Sequence, residues 1–347
     1  MQLDLSFERI ALPAVREMIA DHYGLTGEVT PLSAEKDQLF DLRADGPRTD
    51  GRRLLFRITH PTETDEEAAL QIAVLEHLAR VAPDIPVQRL VPTRAGAPMA
   101  RIRDQGGAGR NLRLVTWLDG ALFRHSRAGL VQAQALGAAW AGLSRSLEGF
   151  DHPGLQRQSP WNLREAGTTR AALSGLADAD RRDALARLHD RLAPGLEAGF
   201  AALPLCPVHN DFSGDNILVD PQRPERLTGI LDFGDLTASH RICDVAVAAC
   251  DFLEGGEDPL ARSAAFVAGF AEAQPLTEIE RALVFDLILM RLFLRIAIAE
   301  LRAAANPANH AYLTRNTARL RDRLAELEAL DPGRAAARFH AAGDPTP

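Results

Sequence analysis

The sequence is nearly devoid of lysine: Lys36 is the single one, and every other strongly basic residue is arginine. A catalytic or phosphate-binding lysine therefore has one address in this chain. Cysteine is scarce too. Cys206, Cys243 and Cys250 are too few for a disulfide scaffold and lack metal-site spacing, so three reduced thiols are expected. Basic excess is absent, since 39 Lys+Arg against 47 Asp+Glu give a net charge of −8. That balance disfavours sequence-independent nucleic-acid binding, which draws its affinity from basic contacts to phosphate. The start of the chain has early acids and no long apolar core, so no signal peptide is expected, and with reduced thiols a cytoplasmic protein is the expectation. No long uncharged run exists either. The most apolar segment, Ala282 to Leu301, is interrupted by Asp286, Arg291, Arg295 and Glu300. A bilayer span needs about 20 largely uncharged residues, so this stretch reads as a buried or amphipathic helix and no membrane partner is expected.

What is there is ordinary globular material, 347 residues with 46% hydrophobic and 25% charged. That length favours two domains or lobes. Residues 8–23 have helical apolar spacing and stop at Gly24. Val29 to Leu42 and Arg53 to Thr59 are β-type runs, with turn residues at 44–47 and 50–51. Thr62 to Arg80 returns to helix, with Thr64 as N-cap and three acids in the first turn. Ala69, Ile72, Ala73, Leu75 and Leu78 are expected to face inward, and Pro83 and Pro86 to end the helix.

Two further strands are expected at Val87 to Pro92 and Leu112 to Leu118, around a Gly-rich turn at 104–110. From there the pattern is helical at 127–148, 162–174, 178–200, 258–273, 277–304 and 310–330, followed by a fraying Ala/Gly/Pro tail. One compact island of strand and turn, Cys206 to Asp235, interrupts these helices. The expected fold class is α+β. A small N-terminal sheet lobe with helices (1–118) precedes a larger, mostly helical lobe (119–347).

The island carries the chemistry. His209, Asp211, Asp215 and Asn216 precede one short strand, and Asp232 and Asp235 follow the next. So many polar groups between apolar strands need partners or a metal. Turn-forming Asp and Asn making local hydrogen bonds are the bland alternative for any one of them. As a constellation, hard oxygen donors suit Mg²⁺, with Asn216 and Asp232 holding the metal while a carboxylate accepts a hydroxyl proton.

His209-x-Asp211-x-x-x-x-Asn216 followed by Asp232-Phe-Gly resembles the catalytic and metal-binding motifs of the aminoglycoside phosphotransferase and choline kinase superfamily. These are small-molecule kinases with a protein-kinase-like bilobal fold. Ser33-Ala-Glu-Lys-Asp-Gln-Leu-Phe40 resembles the strand–loop–strand over the nucleotide phosphates, in the form seen in hydroxylysine kinase and its relatives. Leu55-Phe-Arg57-Ile resembles the strand that normally presents an ATP-binding lysine. The stretch Leu114 to Gly120 resembles the hinge, and Asp244-Val-Ala246 a structural aspartate motif. Hydroxylysine kinase is the most similar subfamily, with homoserine kinase a neighbour.

The resemblance implies Asp211 as catalytic base, Asn216 and Asp232 as Mg²⁺ ligands, and His209 as a brace for the catalytic loop. It implies Ser33, Lys36, Arg57, Gln71, Val115 and Trp117 as nucleotide-binding residues, with ATP or GTP as donor. Two departures stand out. Arg57 occupies the lysine position, and Gln71 the helix position of its glutamate partner, with Glu66 and Glu67 as alternatives; arginine for lysine is not a conservative exchange at a phosphate. The implied acceptor is the hydroxyl of a small amine-bearing metabolite, first hydroxylysine, then homoserine or another amino alcohol, then an aminoglycoside. A nucleotide-binding pseudokinase is the rival reading, and a metal-dependent hydrolase leaves the phosphate loop and hinge unexplained.

Overall fold

The computed structural model describes residues 7–34, 36–45, 52–126 and 129–340. The first six residues, Glu35, the turn residues 46–51, the start of the helix expected at 127 and the tail from 341 lie outside them. The chain divides into two compact units, 1–119 with 152–154, and 120–151 with 155–347.

The first unit is a five-stranded antiparallel sheet with a helix for each face. Helix α1 (Leu12–Tyr23) begins where Pro13 suits a first turn and ends at Gly24, whose φ of 68° favours glycine. Strands β1 (Gly27–Leu32), β2 (Gln38–Ala44) and β3 (Arg53–Ile58) follow. Helix α2 (Asp65–Val81) opens with the expected Thr64 cap, completed by Glu67 into a capping box. Strands β4 (Ala100–Arg103) and β5 (Gly109–Thr116) complete a sheet of order β1-β2-β3-β5-β4.

Alternation along the strands sorts the two faces. Phe40, Leu42, Leu54, Phe56, Leu112 and Leu114 form one core with Val15 and Ile19 of α1. The opposite face carries Arg57 and Arg113, which are cross-strand partners on β3 and β5.

Two expectations for this unit need correction. The stretch at 87–92 is no strand: Leu90 makes a single bridge to Val115, and Pro86 and Pro92 lack the N–H a ladder requires. The strand that leads into the Gly-rich turn is β4, whose alternating arginines gave no apolar signal. On α2 the inward face is rotated. Ala68, Leu70, Gln71, Ile72, Val74 and Leu78 are buried, whereas Ala69 is exposed.

The second unit is mostly helical. After the short strand β6 (Ala121–Leu122) come α3 (Leu130–Ser146), α4 (Ala166–Ala172) and α5 (Ala179–Phe200). The island follows as β7 (Cys206–Val208), β8 (Ile217–Val219), β9 (Leu227–Ile230) and β10 (Thr237–Ser239). Strands β6, β8 and β9 form one small sheet, and β7 pairs with β10. Then come α6 (Arg241–Asp251), α7 (Ala261–Ala273) and α8 (Glu278–Ala305). The C-terminal region is three helices, α9 (His310–Leu313), α10 (Thr317–Glu328) and α11 (Pro332–His340), where one helix and a tail were expected.

Helix α8 is buried over most of its length, as its composition implied, and three of the charges that interrupt it are paired. Arg291 faces Asp211, Arg295 faces Asp251, and Glu300 meets Arg181 and Arg321. Among the described residues no helix is long and apolar enough to cross a membrane.

Candidate active site

In the second unit the loop between β7 and β8 is held by buried side chains on three sides. His209 is fully buried between Trp140 and Phe233, with ring centroids 5.3 and 4.8 Å away. Its Nε2 lies 3.0 Å from the Leu231 carbonyl, and its Nδ1 accepts the Asp211 N–H at 3.4 Å. A carbonyl only accepts, so this pair of bonds selects the neutral Nε2–H tautomer. Burial also drives its pKa below the ordinary imidazole range. The ring braces the loop and carries no mobile proton.

Asn210 adopts a left-handed conformation (φ 66°), one that asparagine tolerates better than most residues. Its N–H donates to Asp244 Oδ1 at 2.7 Å, while Trp140 Nε1 donates to Asp244 Oδ2 at 3.0 Å. Further along, Gly214 N–H donates to Asp251 Oδ2 at 2.9 Å, and Arg295 pairs with Asp251 Oδ1 at 2.8 Å. The loop is thereby fixed from α6 and, through Arg295, from α8.

That scaffold presents Asp211. Asn216 Nδ2 donates to Asp211 Oδ2 at 2.6 Å and to its carbonyl at 3.2 Å, while Arg291 Nη2 stands 3.5 Å from Oδ1. Burial pushes the Asp211 carboxyl up to about 6, opposed by Arg291 and reinforced by Asp232 and Asp251. Asp235 is likewise raised to about 6, by burial first and then by Asp211, with Arg157 opposing at 3.6 Å. Asp232, exposed, has φ 58° and accepts the Gly234 N–H through Oδ1 at 3.0 Å. Asp215 pairs with Arg124 at the surface.

Mutually repelling carboxylates, Asp211 before β8 and Asp232 and Asp235 after β9, create a demand for positive charge, and the donor set suits a hard cation. Asn216 spends its amide nitrogen on Asp211, which orients its oxygen as the remaining polar atom. Among the described residues no three of His, Cys, Asp and Glu gather into a metal-binding group. An amide oxygen with one carboxylate matches Mg²⁺, which keeps water and substrate phosphates as its other ligands.

In the first unit the expected nucleotide-binding residues fall into three places. Ser33 and Lys36 are exposed on the loop between β1 and β2. Arg57 and Gln71 belong to one cluster of charged and polar groups beneath that loop. There the pairing differs from expectation: Gln71 binds Arg113 at 3.0 Å and Glu63 at 3.3 Å, and Arg57 donates through Nε to Asp37. Glu63 also pairs with Arg113 and accepts from Asn111 Nδ2 at 2.9 Å. Neither Glu66 nor Glu67 takes Gln71's place: Glu66 is exposed, and Glu67 closes the capping box.

Val115 is buried and paired with Leu55 in the β3–β5 ladder. Trp117 donates its N–H to the Arg53 carbonyl at 3.2 Å, and the Arg53 guanidinium stands 3.4 Å over its ring.

Asp37, Arg291, Asp251 and Arg295 were not singled out as site residues from the sequence. Charges at 291 and 295, four apart in a segment otherwise fit for burial, were the available signal for two of them.

The family model for the phosphotransferase enzyme family (APH) matches residues 47–283. The chain belongs to that family. Hydroxylysine kinase of Mus musculus is 25% identical over 304 residues, covering 82% of this chain and 80% of the relative. The Danio rerio hydroxylysine kinase is 25% identical over 313 residues, with 86% of each covered. Among solved structures, an amicoumacin kinase in complex with AMP-PNP and Ca²⁺ superposes with TM-score 0.71 at 18% identity, covering 94% of this chain and 97% of that one. A microcompartment-associated aminopropanol kinase gives 0.69 at 19% identity, covering 91% and 98%. The α+β bilobal, protein-kinase-like fold expected from the motifs is therefore the fold of this phosphotransferase. As a family member it is a kinase of small molecules with a hydroxyl acceptor.

Proposed function

We propose that this phosphotransferase moves the γ-phosphoryl group of ATP or GTP, with Mg²⁺, to a hydroxyl of a small amine-bearing metabolite, hydroxylysine first. The observation that carries the reading is the Asp211–Asn216 pair: a carboxylate raised to about 6 and held at 2.6 Å by an amide whose oxygen remains for a metal.

Asp211 would orient the acceptor hydroxyl and take its proton as the oxygen bonds to phosphorus and the bond to the β-phosphate oxygen breaks. A group titrating near 6 is mostly ionised at neutral pH and still basic enough to hold that proton in the transition state. Asn216 and Asp232 would hold Mg²⁺, which when bound neutralises charge on the transferred phosphoryl. Arg57, Lys36 and Ser33 would serve the nucleotide phosphates, with Gln71 acting on the sheet through Arg113. Val115 and Trp117 would lie along the base, by side chain in the case of Trp117 because its N–H is engaged. Most of the rate would come from positioning and charge stabilisation.

The amine preference rests on the named relatives. It does not rest on Asp251, Glu254 or Asp258, each of which is paired with an arginine.

The test is coupled nucleotide turnover, with ATP and GTP each tried against hydroxy amino acids, amino alcohols and aminoglycosides. Hydroxylysine-dependent turnover that vanishes in Asp211→Asn supports the reading. A different productive acceptor reassigns the substrate, and nucleotide binding without turnover on the whole panel moves the chain to a binding role.

A further inference from the structure

The phosphate-side cluster of the first unit divides its acids in an unexpected way. A basic residue on β3 that grips phosphate needs an anionic partner to orient it, and the adjacent helix is the usual place to look. Here α2 offers Gln71, and Gln71 is taken up by Arg113 and Glu63. The acid on Arg57 is Asp37, from the base of the loop that also carries Ser33 and Lys36.

Asp37 is built into this position. Its side chain is 9% exposed against 26% for Arg57, and its Oδ1 accepts the His60 N–H at 2.7 Å while Oδ2 takes the Arg57 Nε–H. The next residue, Gln38, clamps the loop from the other side by accepting the Ile10 N–H at 3.0 Å and donating to its carbonyl at 3.1 Å. Arg113 lies close enough for Asp37 and Arg57 both to influence its charge, and it is answered by Glu63. So the two cross-strand arginines have different partners. Arg113 is locked to Glu63 and Gln71, and Arg57 is tied to the loop.

We propose that Asp37 is the positioning residue for Arg57, joining the phosphate loop to β3 in the role that a helix glutamate would otherwise fill. A guanidinium engaged through Nε has its plane and its terminal nitrogens fixed, which a lysine ammonium does not permit. This explains why arginine, loop aspartate and helix glutamine occur together. The inference rests on the reading of Arg57 as a phosphate-binding residue, and the experiment separates the two.

Full-length protein is titrated calorimetrically with Mg–ATP and with Mg–GTP, without acceptor, as wild type, Asp37→Asn, Asp37→Glu, Arg57→Ala and the Asp37→Asn/Arg57→Ala double variant, with melting temperatures recorded alongside. The expected result is binding weakened about tenfold in Asp37→Asn, in line with loss of one charge-assisted hydrogen bond. Asp37→Glu should recover most of that loss. The double variant should bind no more weakly than Arg57→Ala alone, which a merely structural aspartate would not produce. Unchanged binding in Arg57→Ala, or no binding of either nucleotide by the wild type, overturns the Arg57 reading and the inference with it. Weakened binding in Arg57→Ala with unchanged or tighter binding in Asp37→Asn overturns the inference alone. So does additive loss in the double variant.

Discussion

Arg291, in the middle of α8, places its Nη2 3.5 Å from Oδ1 of Asp211 while its guanidinium carbon lies 5.3 Å from the centre of the Trp161 ring. A buried cation beside the proposed base favours its ionised form and works against the desolvation that raises it.

Replacing Arg291 by methionine keeps the apolar stem and removes the charge. The Asp211 carboxyl should then titrate about one unit higher, given the usual effect of a neighbouring opposite charge. The acid limb of the kcat/KM profile should move up with it, since that profile reports groups of the free enzyme. Arg291→Lys should leave the limb near its original place. An unmoved limb in Arg291→Met would show that another group sets it.

Helices α3 and α7 touch through glycine. A Cβ added at Gly137 would fall on the Phe266 carbonyl, and one at Gly269 on the Gln134 carbonyl. Gly137→Ala and Gly269→Ala must push the helices apart, at about 3 kcal/mol or more. Gly142→Ala, also on α3, meets nothing within 4 Å. It should stabilise by about 0.5–1 kcal/mol through helix propensity. Chemical denaturation of the three variants checks both signs.

Local signals made much of this structure readable. Thr64 and the acids after it marked α2, because a cap and its box lie within one turn. The strand-and-turn island was readable because His209, Asp211 and Asn216 are crowded between short buried strands. Contacts set by tertiary packing were not. Asp37 and Arg57 are 20 residues apart, and Arg291 and Asp211 are 80 apart, so no spacing rule joins them. Gln71 was read as Arg57's partner because a helix position was matched to a pattern, whereas the side chain answers Arg113 one strand over. Helix α6 escaped notice for a different reason. It is short, eleven residues, and follows directly on the strand-and-turn island, with Ile242 to Cys250 all buried.

The His209 tautomer is open to direct observation. Nitrogen NMR should show a neutral ring protonated at Nε2, with its titration displaced below the ordinary imidazole range. Because the folded pKa lies below the ordinary 6.5, the unfolded chain binds more protons in the window between the two. Stability should therefore rise with pH through that window. A ring that titrates near 6.5 would contradict the burial-driven shift.

Asp251 serves two groups at once, the Gly214 N–H of the loop between β7 and β8 and the Arg295 guanidinium. Asp251→Ala strands both, and an unpaired, largely buried arginine should cost about 2–4 kcal/mol. Adding Arg295→Met should restore much of the melting temperature. It should not restore turnover, because the loop amide still lacks its acceptor. Recovery of both together would mean that Asp251 acts only as a counter-ion.

Asp211 itself sets function against stability. Its carboxyl is raised from an ordinary 3.8 to about 6, so the folded state binds the proton more tightly than the unfolded chain between those values. Stability must then fall as pH rises through that window, the reverse of a salt-bridged aspartate. The full shift corresponds to about 3 kcal/mol, and the 30% exposure of the side chain reduces this to about 1–2 kcal/mol through solvent screening. Asp211→Asn removes the ionisation while keeping the shape. In the presence of a chelator the variant should melt higher than wild type at pH 7.5 and equally at pH 4, while losing turnover. Equal stability at both values would mean that Arg291 and Asn216 already offset the desolvation of the carboxylate.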